Sequence, residues 1–263
     1  MRMDAADFKR IFNLPFIEAE AFFKDKLNIP TLAWDELSGA AHARGFMSAG
    51  AYQADLLADL REMTDKAITG DMDIREFRKQ FRPLVERYGW QLKGGGPAWR
   101  SDLIWRTNIA TANAAGRWQQ FEASGIDYLM YMHNDSVLHP RPHHVALDGK
   151  ILPRTDPFWT RNYPPQGFGC RCRAVAATEQ EFNEGDSLRP AGWENMADPG
   201  WDYNVGLEAE RGLSTLAAKL KTLPPDIADE LLRKLVSDPA TAGLVARIID
   251  DFPTAGLGAD DVS

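Results

Sequence analysis

Apolar and polar residues alternate over the first ninety positions with the spacing of amphipathic helices. One helix is predicted between Ala51 and Ile68, and its apolar face consists of Tyr52, Leu56, Leu57, Leu60, Met63 and Ile68. Shorter apolar faces predict a helix at residues 8–12 and another that begins at Ile17. This pattern predicts a helical N-terminal domain at residues 1–93.

A further helix of this domain is marked by its first turn. Asp73 and Glu76 have the spacing of a capping box, in which each side chain accepts a hydrogen bond from the other residue's backbone N–H. After them, the residues that recur at helical spacing are Phe77, Phe81, Leu84, Val85 and Tyr88. The Gly-Gly-Gly-Pro segment at residues 94–97 then predicts a hinge before a second domain, which we place at residues 98–206.

The second domain is predicted to combine one long helix with short strands. The helix is expected at residues 101–124, with an apolar side of Leu103, Ile104, Ile109 and Trp118 and a polar side of Arg106, Thr107, Asn108, Asn113 and Arg117. Aromatic and apolar residues predict strands at 128–132 and 174–177. This domain is therefore expected to be a mixture of helix and strand.

A long proline-rich loop lies between the two predicted strands, from His139 to Cys172. Asp148 and Gly149, with short apolar pairs on either side, predict a two-residue hairpin turn within it. The stiff segment Tyr163-Pro164-Pro165 leads the chain towards the cysteines along one path.

The C-terminal quarter of the chain is expected to be helical and then disordered. Helices are predicted at residues 207–223 and 225–236, within a C-terminal helical region at 207–246. Residues 247–263 have little to bury and are expected to form a disordered tail. The predicted fold class is thus α+β: a helical N-terminal region, a smaller mixed domain with short strands around the proline-rich loop, and C-terminal helices.

Composition and charge narrow the function classes. A hydrophobic content of 44% is typical of a globular protein, and no apolar run is long enough to span a bilayer. The first residues lack the apolar stretch of a signal peptide, so we expect a protein that is made and kept in a cytoplasm. The net charge of −8 argues against a protein that coats nucleic acid.

The proline-rich loop differs from the rest of the chain in its charge. Residues 141–173 contain six Arg or Lys against two Asp, a local net charge of +4. Either this stretch is a solvated loop, or it faces an anionic partner such as DNA or an acidic protein surface.

The only cysteines, Cys170 and Cys172, are too close in sequence for an unstrained disulfide, so a reduced pair is expected. Four of the five histidines lie just upstream of them: His133, His139, His143 and His144. Because thiolate and imidazole are the preferred donors to zinc, a zinc ion held by His139, His144, Cys170 and Cys172 is one interpretation. The other is a buried, hydrogen-bonded pair of thiols without metal, since a second close pair at zinc-finger spacing is missing from the sequence.

The order of uncommon residues in the loop resembles the signature of the phage Mu F-like head morphogenesis family. The positions that match this signature are His144, Asp148, Gly149, Trp159, Pro164, Pro165, Gly167, Cys170, Arg171 and Cys172. Segments 14–27, 89–90, 106–113 (which begins with Arg106) and 202–206 also resemble the family, although Val205 stands where the family has proline. The resemblance covers about residues 5–206.

The resemblance implies a minor head protein of a phage or prophage, present in the virion head and assembled in the cytoplasm of the host bacterium. Its implied partners are the portal and the capsid or scaffold proteins, with packaged DNA as a further candidate and no membrane. An enzyme is not expected, because the sequence contains no nucleophile elbow, phosphate-binding glycine loop or HExxH helix. The alternative is a metal-dependent or Cys/His-dependent enzyme or effector that is packaged in the head and ejected into the host. A prophage remnant with another cellular role also stays open.

Overall fold

The computed structural model describes residues 16–31, 33, 39–136 and 139–208. About 49% of the described residues are helical and the strands among them are few and short, which confirms the predicted α+β class. The helices are α1 (Ile17–Lys24), α2 (Gly39–Arg44), α3 (Ala54–Ile68), α4 (Ile74–Arg87), α5 (Gly96–Ala123), α6 (Pro142–Val145), α7 (Phe158–Asn162) and α8 (Glu179–Glu184). The strands are β1 (Leu27–Asn28), β2 (Gly45–Phe46), β3 (Tyr128–Met132), β4 (Ile151–Pro153) and β5 (Arg173–Ala177), and a 3-10 turn spans Trp193–Asn195.

Helices α3 and α4 bury the apolar faces that their spacing predicts. The buried apolar residues are Leu56, Leu57, Leu60, Met63 and Ala67 in α3, and Phe77, Phe81 and Leu84 in α4. Tyr52 was assigned to the face of α3, and this is wrong: it precedes the helix and its side chain is 62% exposed. The helix begins only after Gln53, so helical periodicity does not extend back to residue 52.

The half of the predicted capping box that depends on the Asp73 side chain is confirmed. Its side-chain oxygen accepts hydrogen bonds of 2.9 Å from the backbone N–H groups of Arg75 and Glu76, which have no partner within the helix.

We therefore expect Asp73→Ala to lower the free energy of unfolding by about 1 kcal/mol. Urea denaturation of the purified chain measures this change. Asp73→Asn is the matched control, because asparagine accepts the same hydrogen bonds. If the asparagine variant loses as much stability as the alanine variant, the cap is not the cause.

Helix α5 is the central element of the fold. It begins in the Gly-Gly-Gly-Pro segment, with Pro97 in its first turn, and packs against α1, α3 and α4. One hydrophobic cluster contains Phe77 from the N-terminal region, Ile104 from α5 and Trp159 from the proline-rich loop. The predicted hinge at 94–97 is thus a helix start that does not separate two cores, and the division into domains at 93 and 98 stays a prediction.

Gly116 explains how closely α1 approaches α5. A Cβ atom at this position would lie 2.7 Å from the backbone nitrogen of Ala19, which is too close for any side chain. The two helices can therefore meet backbone to backbone only because residue 116 is glycine.

Two small sheets complete the fold. Strands β1 and β2 form a parallel pair, and β4-β3-β5 form an antiparallel sheet in that order. The strands predicted at 128–132 and 174–177 are confirmed as β3 and β5. Where β3 pairs with β5, Met132 lies opposite Arg173, and this register positions residues of the candidate site.

The hairpin predicted around Asp148 and Gly149 is wrong. Ala146 and Leu147 do not form a strand, because they follow the short helix α6 and belong to a turn. Strand β4 pairs instead with β3, which lies earlier in the chain. Gly149, with φ of +76°, closes the turn by donating its N–H to the carbonyl of Tyr131 at 2.9 Å.

Several predictions lie outside the described residues: the helix at 8–12, the C-terminal helices at 207–223 and 225–236, and the tail at 247–263. Within the part of the chain that the structure describes, no helix is both long and apolar enough to cross a membrane.

Candidate functional site

The proline-rich loop is held by its own aromatic residues rather than left open to solvent. Phe158 and Trp159 of α7 are fully buried, with ring centroids 5.0 Å apart. Tyr163 packs edge-on against Trp118 of α5 at 5.0 Å and donates its hydroxyl to the carbonyl of Ala114 at 2.9 Å. These contacts anchor the loop to the long helix.

A chain of buried hydrogen bonds lies beneath the loop. The Tyr131 hydroxyl donates to Oε1 of Gln166 at 2.5 Å, and Nε2 of Gln166 donates to Oδ1 of Asn162 at 3.0 Å. Nδ2 of Asn162 then donates to the carbonyls of Phe158 and Trp193. We did not predict this network; the only sequence signal is a single glutamine between Pro165 and Gly167, where a buried polar side chain needs partners.

The two cysteines and His144 meet at the end of the loop. His144 lies in α6 with 2% of its surface exposed, and its Nδ1 atom is 3.7 Å from the Cys170 sulfur and 3.8 Å from the Cys172 sulfur. Both cysteines are free thiols, and Cys170 is buried. Three of the four predicted ligands are therefore brought together, with ligand atoms all within 4.8 Å of one another.

The fourth predicted ligand, His139, is exposed and lies outside this group. His133 is nearer: its Nδ1 atom is 3.4 Å from the Cys172 sulfur. The strand register explains this, because His133 follows Met132 and Cys172 precedes Arg173, the last partners of the β3–β5 pair. The sequence predicts both strands, but it does not predict their pairing, which brings His133 to Cys172.

A hydrogen bond joins the two thiols and moves their pKa values in opposite directions. The hydrogen bond with Cys170 lowers the pKa of the Cys172 thiol, against burial, and hydrogen bonds with His144, Tyr131 and His133 lower it further. The same hydrogen bond, together with burial, raises the pKa of Cys170. Of the two thiols, Cys172 is therefore the one that loses its proton more readily.

The remaining motif residues shape the backbone around this cluster. Asp148 accepts a hydrogen bond from the backbone N–H of His133 at 2.7 Å, which fixes the chain beside Cys172. Gly167 is buried, and a Cβ atom there would lie 2.1 Å from the carboxylate of Asp198. That carboxylate pairs with Arg141 at 2.9 Å. Pro164 and Pro165 are buried and joined by a cis peptide bond.

A cleft of about 400 Å³ opens beside the cysteines, and both of them line it. Four arginines also line it: Arg106 and Arg117 from α5, and Arg171 and Arg173 from the segment that leads into β5. Among the described residues, the lining of the cleft contains no carboxylate, and none of the four arginines forms an ion pair. We call this feature the arginine cleft.

The other basic residues of the loop are neutralised by acids from elsewhere in the chain. The ion pairs are Arg141–Asp198, Lys150–Asp186, Arg154–Glu122 and Arg161–Asp202. The local charge of +4 that the sequence shows is therefore not the charge of the folded surface. The positive charges of the loop that have no acidic partner among the described residues are those of Arg171 and Arg173, which line the cleft together with two arginines of α5.

Comparison with known proteins relates the part of the chain that contains the loop and the cysteines to phage proteins. The family model described as Phage Mu protein F like protein matches residues 58–175. The chain is 32% identical over 209 residues to the Mu-like prophage FluMu F protein of Haemophilus influenzae, an alignment that covers 73% of this chain and 49% of that protein. It is 30% identical over 200 residues to the putative capsid assembly protein F of Escherichia phage Mu, with 70% and 45% covered.

The chain thus spans about half the length of the curated relatives that it matches. No solved structure matches the chain significantly. Residues 58–175 run from within α3 to the first residues of β5, and they contain Arg106 and all the motif residues of the proline-rich loop, including His144 and the cysteine pair. On this evidence, the chain belongs to the phage Mu protein F-like family.

Proposed function

We propose that this chain is a minor head protein that acts in the assembly of a phage or prophage capsid, at the portal or in the capsid interior. The observation that carries the proposal is the similarity to the putative capsid assembly protein F of phage Mu, together with the family match at residues 58–175, which contains the loop, the cysteine cluster and the four arginines of the cleft. The location that follows is the virion head, with assembly in the cytoplasm of the host bacterium.

We infer further that the arginine cleft binds an acidic segment of another head protein, such as the portal, the capsid or a scaffold protein. Four arginines without carboxylate partners face a cleft whose wall includes the aromatic side chains of Trp105 and Trp201. Arginine is suited to such a site, because its planar guanidinium forms paired hydrogen bonds with carboxylates and is weakly hydrated.

Packaged DNA is the less favoured occupant of the cleft. The whole chain has a net charge of −8, and duplex DNA is recognised mainly through extended basic surfaces that contact many phosphates. A cleft of about 400 Å³ fits one or two acidic side chains of a protein segment better than a duplex.

The double charge reversal Arg106→Glu/Arg171→Glu tests this proposal. In a phage that carries the altered chain, we expect the number of copies per purified head to fall at least about tenfold, because two attractions in the cleft become repulsions. Quantitative mass spectrometry of heads measures the copy number. Circular dichroism of the purified variant checks that the chain is still folded, since both arginines are exposed.

Arg82→Glu is the matched control, because Arg82 is an exposed arginine of α4 outside the cleft. Unchanged incorporation of the double variant would overturn the docking role of the cleft. Duplex DNA binding at physiological salt that the double variant abolishes would assign the cleft to DNA instead. Normal heads that deliver their DNA but fail in the host would favour the alternative of a packaged enzyme or effector.

A further inference from the structure

We propose that Cys170, Cys172, His144 and His133 form a structural zinc site that joins three segments of the fold. Cys170 and Cys172 lie at the entrance to β5, His144 in α6 and His133 directly after β3. The inference rests on these side chains alone and does not depend on the proposed role in head assembly.

Three sulfur–nitrogen distances match the edges of a tetrahedral zinc site, whereas His133 lies outside the group of ligand atoms that are all within 4.8 Å of one another. With zinc–sulfur bonds of about 2.3 Å and zinc–nitrogen bonds of about 2.05 Å, the edges of such a site are about 3.6 Å from sulfur to nitrogen. The sulfur–nitrogen distances here are 3.7 Å and 3.8 Å from His144 and 3.4 Å from His133. The cluster can therefore receive the ion with shifts of a few tenths of an ångström in these pairs.

Hydrogen bonding alone explains this arrangement less well. Nδ1 of His144 lies at hydrogen-bond distance from two sulfur atoms, although one ring nitrogen carries at most one proton. A metal ion satisfies Nδ1 and both sulfurs at once, because all three donate lone pairs to it.

His133 supplies the fourth donor. Its backbone is fixed beside Cys172 by the β3–β5 register and by the hydrogen bond to Asp148, so only its ring has to turn towards the other ligands.

Four protein donors leave no open position on the metal, which is typical of structural rather than catalytic zinc. The ion would hold the Cys-Arg-Cys-Arg segment against the sheet and so set the positions of Arg171 and Arg173 in the arginine cleft. Zinc and the cleft would then form one rigid unit.

The test is the metal content of the full chain, purified under reducing conditions with a tag free of histidine and cysteine. Plasma mass spectrometry should find about one zinc per chain. In Cys170→Ser/Cys172→Ser and in His144→Ala, zinc should fall below about a tenth of an equivalent. His133→Ala should lose most of its zinc in competition with a chromogenic chelator that the native chain withstands.

His139→Ala is the matched control, because His139 is exposed and belongs to neither candidate group of metal ligands among the described residues, and this variant should keep its zinc. If His133→Ala keeps its zinc as firmly as the native chain, or if His139→Ala loses it, the proposed fourth ligand is wrong.

A second measurement on the native chain covers the case in which the cysteine variants do not fold. After dialysis against a chelator, the chain should bind one equivalent of Co²⁺ and develop thiolate-to-cobalt charge-transfer bands, which Zn²⁺ then displaces. Folded native chain that contains no transition metal and gives no such bands with Co²⁺ would overturn the proposal.

Discussion

Replacing Trp159 by alanine is expected to lower the free energy of unfolding by about 3–5 kcal/mol, as is usual for a large aromatic residue removed from a core. Trp159 has 0% of its surface exposed, and its ring lies 5.0 Å from that of Phe158 and 6.3 Å from that of Tyr163. Its loss would leave a cavity at the point where the loop joins the main core. Chemical denaturation monitored by circular dichroism measures the effect.

Trp99→Ala is the matched control, because that side chain is 48% exposed and its removal leaves no closed cavity. We expect it to change the free energy of unfolding by less than about 1 kcal/mol. Trp159→Phe should fall between the two variants, since the smaller ring fills part of the space. Equal losses from Trp159→Ala and Trp99→Ala would show that the loop is not part of the cooperative core.

Replacing Gln166 by leucine is expected to lower the free energy of unfolding by about 2–4 kcal/mol. Gln166 is fully buried and links the Tyr131 hydroxyl to Oδ1 of Asn162. Leucine fills a similar volume but leaves Oδ1 of Asn162 without its donor and the Tyr131 hydroxyl without its oxygen acceptor. The cost is that of burying polar groups without partners, which exceeds the value of the hydrogen bonds themselves. Denaturation midpoints and slopes of the variant and the native chain measure it.

A double variant separates this cause from a change in packing. Tyr131→Phe/Gln166→Leu removes both partners of one hydrogen bond, so it should be less destabilised than the sum of the two single variants. Gln180→Leu is the control, since this glutamine is exposed on α8 and should change stability by less than about 0.5 kcal/mol. Additive losses in the double variant would show that the buried hydrogen bond does not couple the two residues.

These variants bear on function because the same residues support the site. Tyr131 lies in β3 and interacts with both cysteines, and Gln166 belongs to the segment that leads to Cys170. The aromatic anchors and the buried hydrogen bonds hold the loop from below, while the proposed zinc ion would hold its end. We therefore propose that the motif residues of the loop make a rigid surface that carries the arginine cleft.

Much of the secondary structure was predictable because its signals are local. The apolar stripe Leu56, Leu57 and Leu60 indicates which side of α3 is buried, and Asp73 marks the start of α4 through bonds to residues two and three positions away. Each of these patterns depends on neighbours in one segment, so it can be recognised without knowledge of the fold. Tyr52 shows the limit, since periodicity does not say where a helix begins.

The site was only partly predictable because its groups come from distant parts of the chain. His144 and the cysteines were found from their chemistry, but His133 joins them through strand register, while His139, which is as close in sequence, stays exposed. The hairpin prediction failed for a similar reason. Pairing with β3 competes with pairing between near neighbours, and the buried position of Leu147 favours the turn.

Local sequence patterns were enough to predict the longer helices, strands β3 and β5, the α+β class and, through the order of residues in the proline-rich loop, the phage Mu F-like family. Which positive charges of the loop lack an acidic partner among the described residues depends on the folded chain. Four basic residues of the loop meet acids up to 57 positions away, while Arg171 and Arg173 line a cleft with Arg106 and Arg117 of α5. Charge, hydrogen bonding and metal ligation act through distances in space, and strand register and helix packing set these distances, so no local pattern reveals them.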